Sequence, residues 1–162
     1  MFSTCDFCDA HKDDASGAFR VLVAPWRSYG QVDRFYGAVQ TVQCFEDNTP
    51  VKAAVESPGE GRVLVVDAGA SMRKAVLGGN LAAAAARNNW AGLVISGCVR
   101  DLNELQTTPV GILALGHVPM PTQRKDQGLT GLAVQIGGVW VRPGEWLYAD
   151  TDGVVVSTQL LH

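Results

Sequence analysis

The chain has 162 residues, 47% apolar and 18% charged, with a net charge of −3, which suits one compact domain with its own core and excludes a disordered chain. The acidic balance and the lack of any basic run argue against direct contact with nucleic acid. No stretch approaches the ~18 apolar residues of a membrane helix, and no basic segment followed by an apolar core opens the chain, so no membrane association and a cytoplasmic location are expected.

Ser3 or Thr4 is placed to cap a short helix running to about Asp14. Within it, Cys5-x-x-Cys8 invites a zinc or redox reading, but only His11 lies near as a further ligand. Together with Cys44 and Cys98 the pair reads more simply as reduced thiols packed as small apolar groups. Residues 20–37, punctuated by Pro25 and Gly30, read as irregular, and residues 38–44 alternate loosely as a strand. Asp47-Asn48-Thr49-Pro50 predicts a turn feeding a helix, with Pro50 at its first position and a stop before Pro58-Gly59.

Residues 62–67 form a β-branched run bounded by glycine, which predicts a buried strand. The alanine-rich stretch 80–89 predicts a helix that lies close to a sheet. Residues 93–98 and 110–115 are further buried strands, with a single helical turn at 101–105 between them. This alternation implies parallel strands with right-handed crossovers. Residues 119–128 show no period and read as an exposed loop. Four short strands, 132–136, 139–142, 146–149 and 154–157, then read as an antiparallel meander turned at Gly137-Gly138, Pro143-Gly144 and Asp152-Gly153. Asp150 and Asp152 are read as turn residues of that meander. The four tryptophans read as core or interface packing.

Chemistry concentrates at the two ends of the segment 78–104. Gly78 and Gly79 precede the alanine helix, whose first amides lack internal acceptors, so a carboxylate or phosphate could rest on Gly79, Asn80 and Leu81. A glycine pair before a helix is more often a plain turn. Arg100 and Asp101 follow a strand, where ligand crevices of α/β sheets lie. Asp101 offers a hard oxygen for Mg²⁺ or Mn²⁺, and Glu104, one helical turn on, could hold a metal-bound water. Arg100 can donate to a carboxylate or a developing oxyanion. The plain alternative is a surface arginine and two solvated acids at a helix start. His117, before Val118-Pro119, reads as a loop histidine with a structural hydrogen bond.

Several blocks together resemble one family. They are Cys44-Phe45-Glu46-Asp47-Asn48, the run 61–67, Gly78-Gly79-Asn80-Leu81, the run 90–95, Gly97-Cys98-Val99-Arg100-Asp101, Gly137-Gly138-Val139, Arg142-Pro143-Gly144 and Tyr148-Ala149-Asp150. The chain resembles the family named for the regulator of ribonuclease activity A, which includes class II aldolases for 4-hydroxy-4-methyl-2-oxoglutarate. The resemblance spans nearly the full length as one domain, 1–162, weakest over the first 35 residues. It implies a single-domain swivelling β/β/α sandwich with mixed parallel and antiparallel sheets, assembled as a homotrimer.

Aldolase-competent members resemble a pattern of Gly, twenty residues, Arg-Asp, two residues, then Glu or Asp. Here Gly79, Arg100, Asp101 and Glu104 complete it. The resemblance therefore implies a divalent cation (Mg²⁺ or Mn²⁺) on Asp101, with Glu104 acting through water. It implies a 2-oxo acid held by residues 78–81 and Arg100, cleaved to pyruvate, with oxaloacetate decarboxylation as a side activity. A metal-linked water is the candidate base. The alternative it implies is a non-catalytic partner that inhibits endoribonuclease E.

Overall fold

The computed structural model describes residues 1–162. The chain opens with α1 (Thr4–His11), β1 (Phe19–Val21), β2 (Arg27–Ser28) and the long β3 (Phe35–Gln43). Then come α2 (Thr49–Val55), β4 (Val63–Asp67), β5 (Ala75–Leu77), α3 (Gly79–Arg87), β6 (Gly92–Val99), α4 (Leu102–Leu105) and β7 (Gly111–His117). The last third adds β8 (Leu129–Thr130), β9 (Val134–Ile136), β10 (Val139–Val141), β11 (Trp146–Asp150) and β12 (Gly153–Ser157).

Three layers result, a β/β/α sandwich. Strands β3, β4, β6 and β7 pair in that order and parallel, forming the middle layer. Its outer strands β2 and β8 run antiparallel. The second sheet, β1-β12-β11, is antiparallel and is joined to the first through β3. The first half of β3 pairs with β11, Phe35 to Ala149 through Ala38 to Trp146. The second half pairs with β4, Val39 to Val63 through Gln43 to Asp67. One strand thus passes from one sheet to the other.

Period-two alternation explains why the middle strands read as continuous apolar runs. Leu64, Val66, Leu93, Ile95, Ile112 and Ala114 face the helices. Val63, Val65, Val94 and Leu113 face the second sheet and the β9–β10 hairpin. Both faces are dry, and each fully buried Val or Leu contributes about 1.5–3 kcal/mol. Burial also pushes the Cys44 thiol up to about 12, and Cys98 is buried with it. Cys5, in contrast, is exposed, so the packed-thiol reading fails there.

Three expectations change. The first helix stops at His11, where Asp14 takes over: its carboxylate accepts from the Ser16 amide at 2.9 Å and the Phe19 amide at 3.1 Å, turning the chain into β1. Residues 20–37 are not wholly irregular, because β12, β7 and β11 offer edges to β1, β2 and the start of β3. The terminal meander is broken: β9 and β10 form their own two-stranded sheet, while β11 and β12 join the large one. Glu145 makes that corner. It accepts from the Arg142 amide at 2.7 Å and pairs with Arg20 at 2.5 Å.

Asp150 is more than a turn residue. It is 5% exposed and accepts from the Thr4 amide at 2.8 Å and the Thr4 hydroxyl at 2.6 Å. Burial opposes its ionisation, but these donors and the Asp152 and Gly153 amides outweigh it and hold the carboxyl below the usual range. Replacing Asp150 with Ala leaves buried donors unpaired, which costs about 1–3 kcal/mol. The expected outcome is a lower denaturant midpoint with amide exchange accelerated in α1; unchanged protection of residues 4–11 would contradict this anchoring role.

Candidate active site

The short strand β5, invisible in the sequence pattern, positions the site. It pairs parallel with β6, Ala75 to Cys98 and Leu77 to Val99, and the Arg100 amide donates to the Leu77 carbonyl at 2.9 Å. The residues leaving β5 therefore sit beside those leaving β6. The twenty residues between Gly79 and Arg100 are the rest of α3 and the strand that returns.

Asp101 adopts the left-handed conformation, φ 63° and ψ 49°, which aspartate tolerates better than most residues. Its Oδ2 accepts from the Gly79 amide at 2.9 Å. The two glycines clear room for carboxylates. A methyl group on Gly78 would stand 2.7 Å from Asp101 Oδ2, and one on Gly79 would stand 1.6 Å from Glu104 Oε2. The expectation that these glycines admit a ligand to the backbone is thus corrected for Gly79, whose amide is already committed. Asn80 and Leu81 keep the first-turn amides that a helix leaves without internal acceptors, and no side chain caps α3.

A cleft of about 740 Å³ opens at this junction. One face of α3 lines it with Asn80, Ala83, Ala84 and Arg87, the spacing of a single helical stripe. The opposite stripe, with Leu81, Ala82 and Ala85, packs into the core, although Leu81 also reaches the cleft rim. Asn48, Lys52 and Glu56 line the cleft from the α2 side. Gly78, Gly79, Arg100 and Asp101 close one end, and Pro121, Thr122, Gln123 and Arg124 form the far wall. A smaller apolar hollow of about 400 Å³ beside β1 and β12 holds none of the motif residues.

That wall is not a loose loop. Asp47, 3% exposed, accepts from the Thr49 amide and hydroxyl and from the amides of Lys125 and Gln127, the last two at 2.7 and 3.2 Å. Burial opposes ionisation of Asp47, yet these donors together hold its carboxyl at about 2. Asn48 binds the Thr122 hydroxyl at 2.8 Å and Arg124 Nε at 3.1 Å. At the other end Arg100 Nη1 reaches the Pro119 carbonyl at 3.4 Å.

Lys52, Arg87, Arg100 and Arg124 face the cleft against Glu56 and Asp101, so it attracts anions. No histidine lines it: His117 bonds the Tyr29 hydroxyl at 3.2 Å, the structural role expected of it. Asp101 keeps Oδ1 free of protein partners, since only its Oδ2 accepts the Gly79 amide. Glu104 lies against Gly79 and does not line the cleft. No group of three or more His, Cys, Asp or Glu residues could hold a metal ion. This donor set of one or two hard oxygens fits a largely hydrated Mg²⁺ or Mn²⁺ and does not fit a caged zinc.

The profile of the RraA-like family, described as Aldolase/RraA, matches residues 4–156. The chain belongs to this family. It is 60% identical over 164 aligned positions to a protein of Albidiferax ferrireducens, covering 96% of this chain and 95% of the other; that protein has the provisional name 4-hydroxy-4-methyl-2-oxoglutarate aldolase. A Burkholderia multivorans protein of the same provisional name is 51% identical, covering 99% and 98%. Among solved structures, the RNA-processing inhibitor RraA from Thermus thermophilis superimposes with a TM-score of 0.93 at 38% identity, covering 100% and 96%. A Geobacillus kaustophilus protein described as an S-adenosylmethionine:2-dimethylmenaquinone methyltransferase gives a TM-score of 0.91 at 40% identity, covering 99% and 97%. RraA-like scaffolds thus carry several functional descriptions, so function must be argued from the site. No helix is long and apolar enough to cross a membrane.

The structure gathers Gly78, Gly79, Asn80, Leu81, Arg100 and Asp101 at one cleft and sets Glu104 behind Gly79. Sequence reasoning missed Asn48, Lys52, Arg87 and Arg124. The four-residue spacing of Asn48, Lys52 and Glu56, and the seven-residue step from Asn80 to Arg87, were signals that could have found three of the polar positions.

Two outcomes follow. Gly79→Ala should displace the Glu104 side chain while leaving the fold intact, visible as a moved carboxylate in a crystal structure with little change in melting temperature; an undisturbed Glu104 would refute the packing argument. Asp47 has a depressed carboxyl, so its stabilisation is full above the ordinary ~3.9 and is lost as pH falls toward about 2. Amide exchange across 119–128 should accelerate in that window, and Asp47→Asn should remove the acid dependence. Flat protection from pH 5 to 2 would contradict it.

Proposed function

We propose that the chain is a divalent-metal-dependent lyase that cleaves 4-hydroxy-4-methyl-2-oxoglutarate to pyruvate, with oxaloacetate decarboxylation as a side activity. The observation that carries this reading is the meeting of Asp101, Arg100 and the open α3 amides in one cationic cleft. The provisional names of the most similar relatives support it.

The roles follow from position. The substrate's 2-oxo carboxylate rests on the Asn80 and Leu81 amides, where partial positive charge and free donors coincide. Arg100 lies beside Gly78, its Cγ and Nε 3.4 Å from where a Cβ there would stand, so its guanidinium is at hand for the keto oxygen. Retro-aldol cleavage passes the C4 hydroxyl proton to a water in the cleft, which no histidine lines, and breaks the C3–C4 bond. The C4 fragment leaves as pyruvate, and the bonding pair moves into the enolate of a second pyruvate, which then takes a proton at C3. Arg100 donates to the oxygen as it gains charge, a stabilisation greater in the transition state than before it. Asp101 would hold the cation through its free oxygen, with Glu104 acting through water; when bound, a divalent cation supplies Lewis-acid stabilisation of the same charge. Oxaloacetate decarboxylation leaves the same enolate.

We further propose a homotrimer acting in the cytoplasm, with Leu129, Leu132 and Trp140, each about half exposed, as apolar surface that assembly would cover. A second reading is inhibition of endoribonuclease E, favoured by the likeness to the Thermus RNA-processing inhibitor.

The deciding assay is pyruvate release from 4-hydroxy-4-methyl-2-oxoglutarate and from oxaloacetate with Mg²⁺ or Mn²⁺. Chelation should abolish it. Asp101→Asn, which keeps the left-handed turn, should fold normally and lose activity. Arg100→Ala should lower kcat by about 10²-fold or more, as loss of one oxyanion donor does. Intact substrates together with inhibition of the ribonuclease would select the second reading.

A further inference from the structure

Two sulfur atoms meet outside the cleft, near the end of β6. Cys98 is wholly buried, and its thiol donates to the Met72 thioether, Sγ to Sδ 3.5 Å. Burial raises the Cys98 thiol above its usual range, so it holds its proton and carries no charge. Met72, in the connection from β4 to β5, is 53% exposed. The pair therefore joins one dry sulfur to one on a side chain that solvent reaches. Gly116, the register partner of Cys98 on β7, leaves room for both: a Cβ there would stand 2.5 Å from Met72 Cε and 3.7 Å from Cys98 Sγ.

The backbone around Met72 is pinned, whereas its side chain is free to turn. Before it, the Ala70 amide donates to the Ser96 carbonyl at 3.0 Å. After it, Arg73 Nε donates to Glu46 Oε1 at 2.8 Å and Arg73 Nη2 to Glu46 Oε2 at 3.0 Å. Methionine has three rotatable bonds and a polarizable sulfur. Metal–thiolate bonds are about 2.3 Å long, so two sulfurs flanking one ion stand at most ~4.6 Å apart. Met72 reaches that separation by swinging outward about 1 Å, a small step for such a side chain. Thiolate and thioether ligands select soft ions such as Cu(I) and leave Mg²⁺ and Mn²⁺ to oxygen ligands. Charge decides the rest. A monovalent ion on one thiolate is neutral overall, whereas a divalent ion leaves a net positive charge in a dry niche, which is costly.

We propose that Cys98 and Met72 form a two-coordinate site for a soft monovalent cation, Cu(I) or Ag(I). The Cys98 thiol gives its proton to water as the sulfur–metal bond forms, the Met72 sulfur donates a lone pair to the same ion, and no electron is transferred. Met72 meets the ion from solvent, and Cys98 holds it. Neither residue lines the cleft that contains Asp101. The site therefore stands whether or not the chain is a lyase.

The test uses the full chain with Cys5→Ser and Cys8→Ser, so that the two thiols of α1 do not compete. Ag⁺ is titrated in chloride-free buffer into protein carrying ¹³C-methyl methionine, whose three methyl signals come from Met1, Met72 and Met120. The first equivalent should shift the Met72 signal alone, and calorimetry should show one ion per chain. Cu(I), kept reduced without oxygen and in competition with a chromophoric chelator, should bind with the same stoichiometry. Met72→Leu, which conserves volume, should weaken binding of either ion by about tenfold or more. Gly116→Ala, which crowds the Met72 methyl group, should weaken it as well. Cys98→Ala should abolish it; if that variant fails to fold, Met72→Leu at its half-exposed position still decides. A first equivalent that moves Met1 or Met120, an affinity unaltered by Met72→Leu, or binding retained in Cys98→Ala, which would put the ion on Cys44, overturns the proposal. Absence of any binding by Ag⁺ and Cu(I) overturns it too and leaves the two sulfurs as core packing.

Discussion

One hydrogen bond, from the Gly79 amide to Asp101 Oδ2, ties together the four elements on which the site depends. It closes a gap of 22 residues between the start of α3 and the exit of β6. The parallel pairing of β5 with β6 makes that closure geometrically inevitable, because Leu77 and Val99 are partners in the ladder. The bond itself is modest, about 1.5–3 kcal/mol for a charged acceptor. Its importance is positional. It sets one carboxylate oxygen against the helix and leaves the other free, while the missing side chains of Gly78 and Gly79 let both carboxylates of the motif crowd the backbone.

This arrangement explains a motif that looks arbitrary as text. The glycine leaves room for Glu104, whose carboxylate occupies the place a side chain there would take. The interval of twenty residues is the length of a helix and a returning strand. The Arg-Asp pair is the point where β6 ends and the chain turns through a left-handed residue into α4. The same geometry shows why the amides available to a ligand are those of Asn80 and Leu81.

Charge is distributed against the average. The chain is acidic as a whole, yet four basic side chains face the cleft and only two acidic ones do. A small anion meets a local field opposite in sign to the net charge, and the low-dielectric walls strengthen it. The far wall keeps this shape because a buried carboxylate and a buried amide, Asp47 and Asn48, hold the backbone and side chains of 122–127. A segment with no apolar period is thereby ordered largely through polar contacts.

The amino-acid sequence by itself determined the layers and the near half of the site. The runs at 62–67, 93–98 and 110–115 are apolar on both faces, which only a strand covered on both sides requires, and the Gly79–Arg100–Asp101–Glu104 spacing pointed to the junction where Gly79 and Asp101 meet. What the tertiary structure alone decided were features whose stabilising partners lie far along the chain. Ala75–Leu77 is too short for a period and becomes a strand only because β6 offers an edge. Asp150 looks like a turn residue until Thr4, 146 positions away, donates to it. Arg124 stands in an exposed loop, as the sequence reads, but the hold on its guanidinium comes from Asn48, 76 positions earlier. Local patterning reports which face of an element is dry, whereas a polar residue's role is set by the donor or acceptor that folding brings to it.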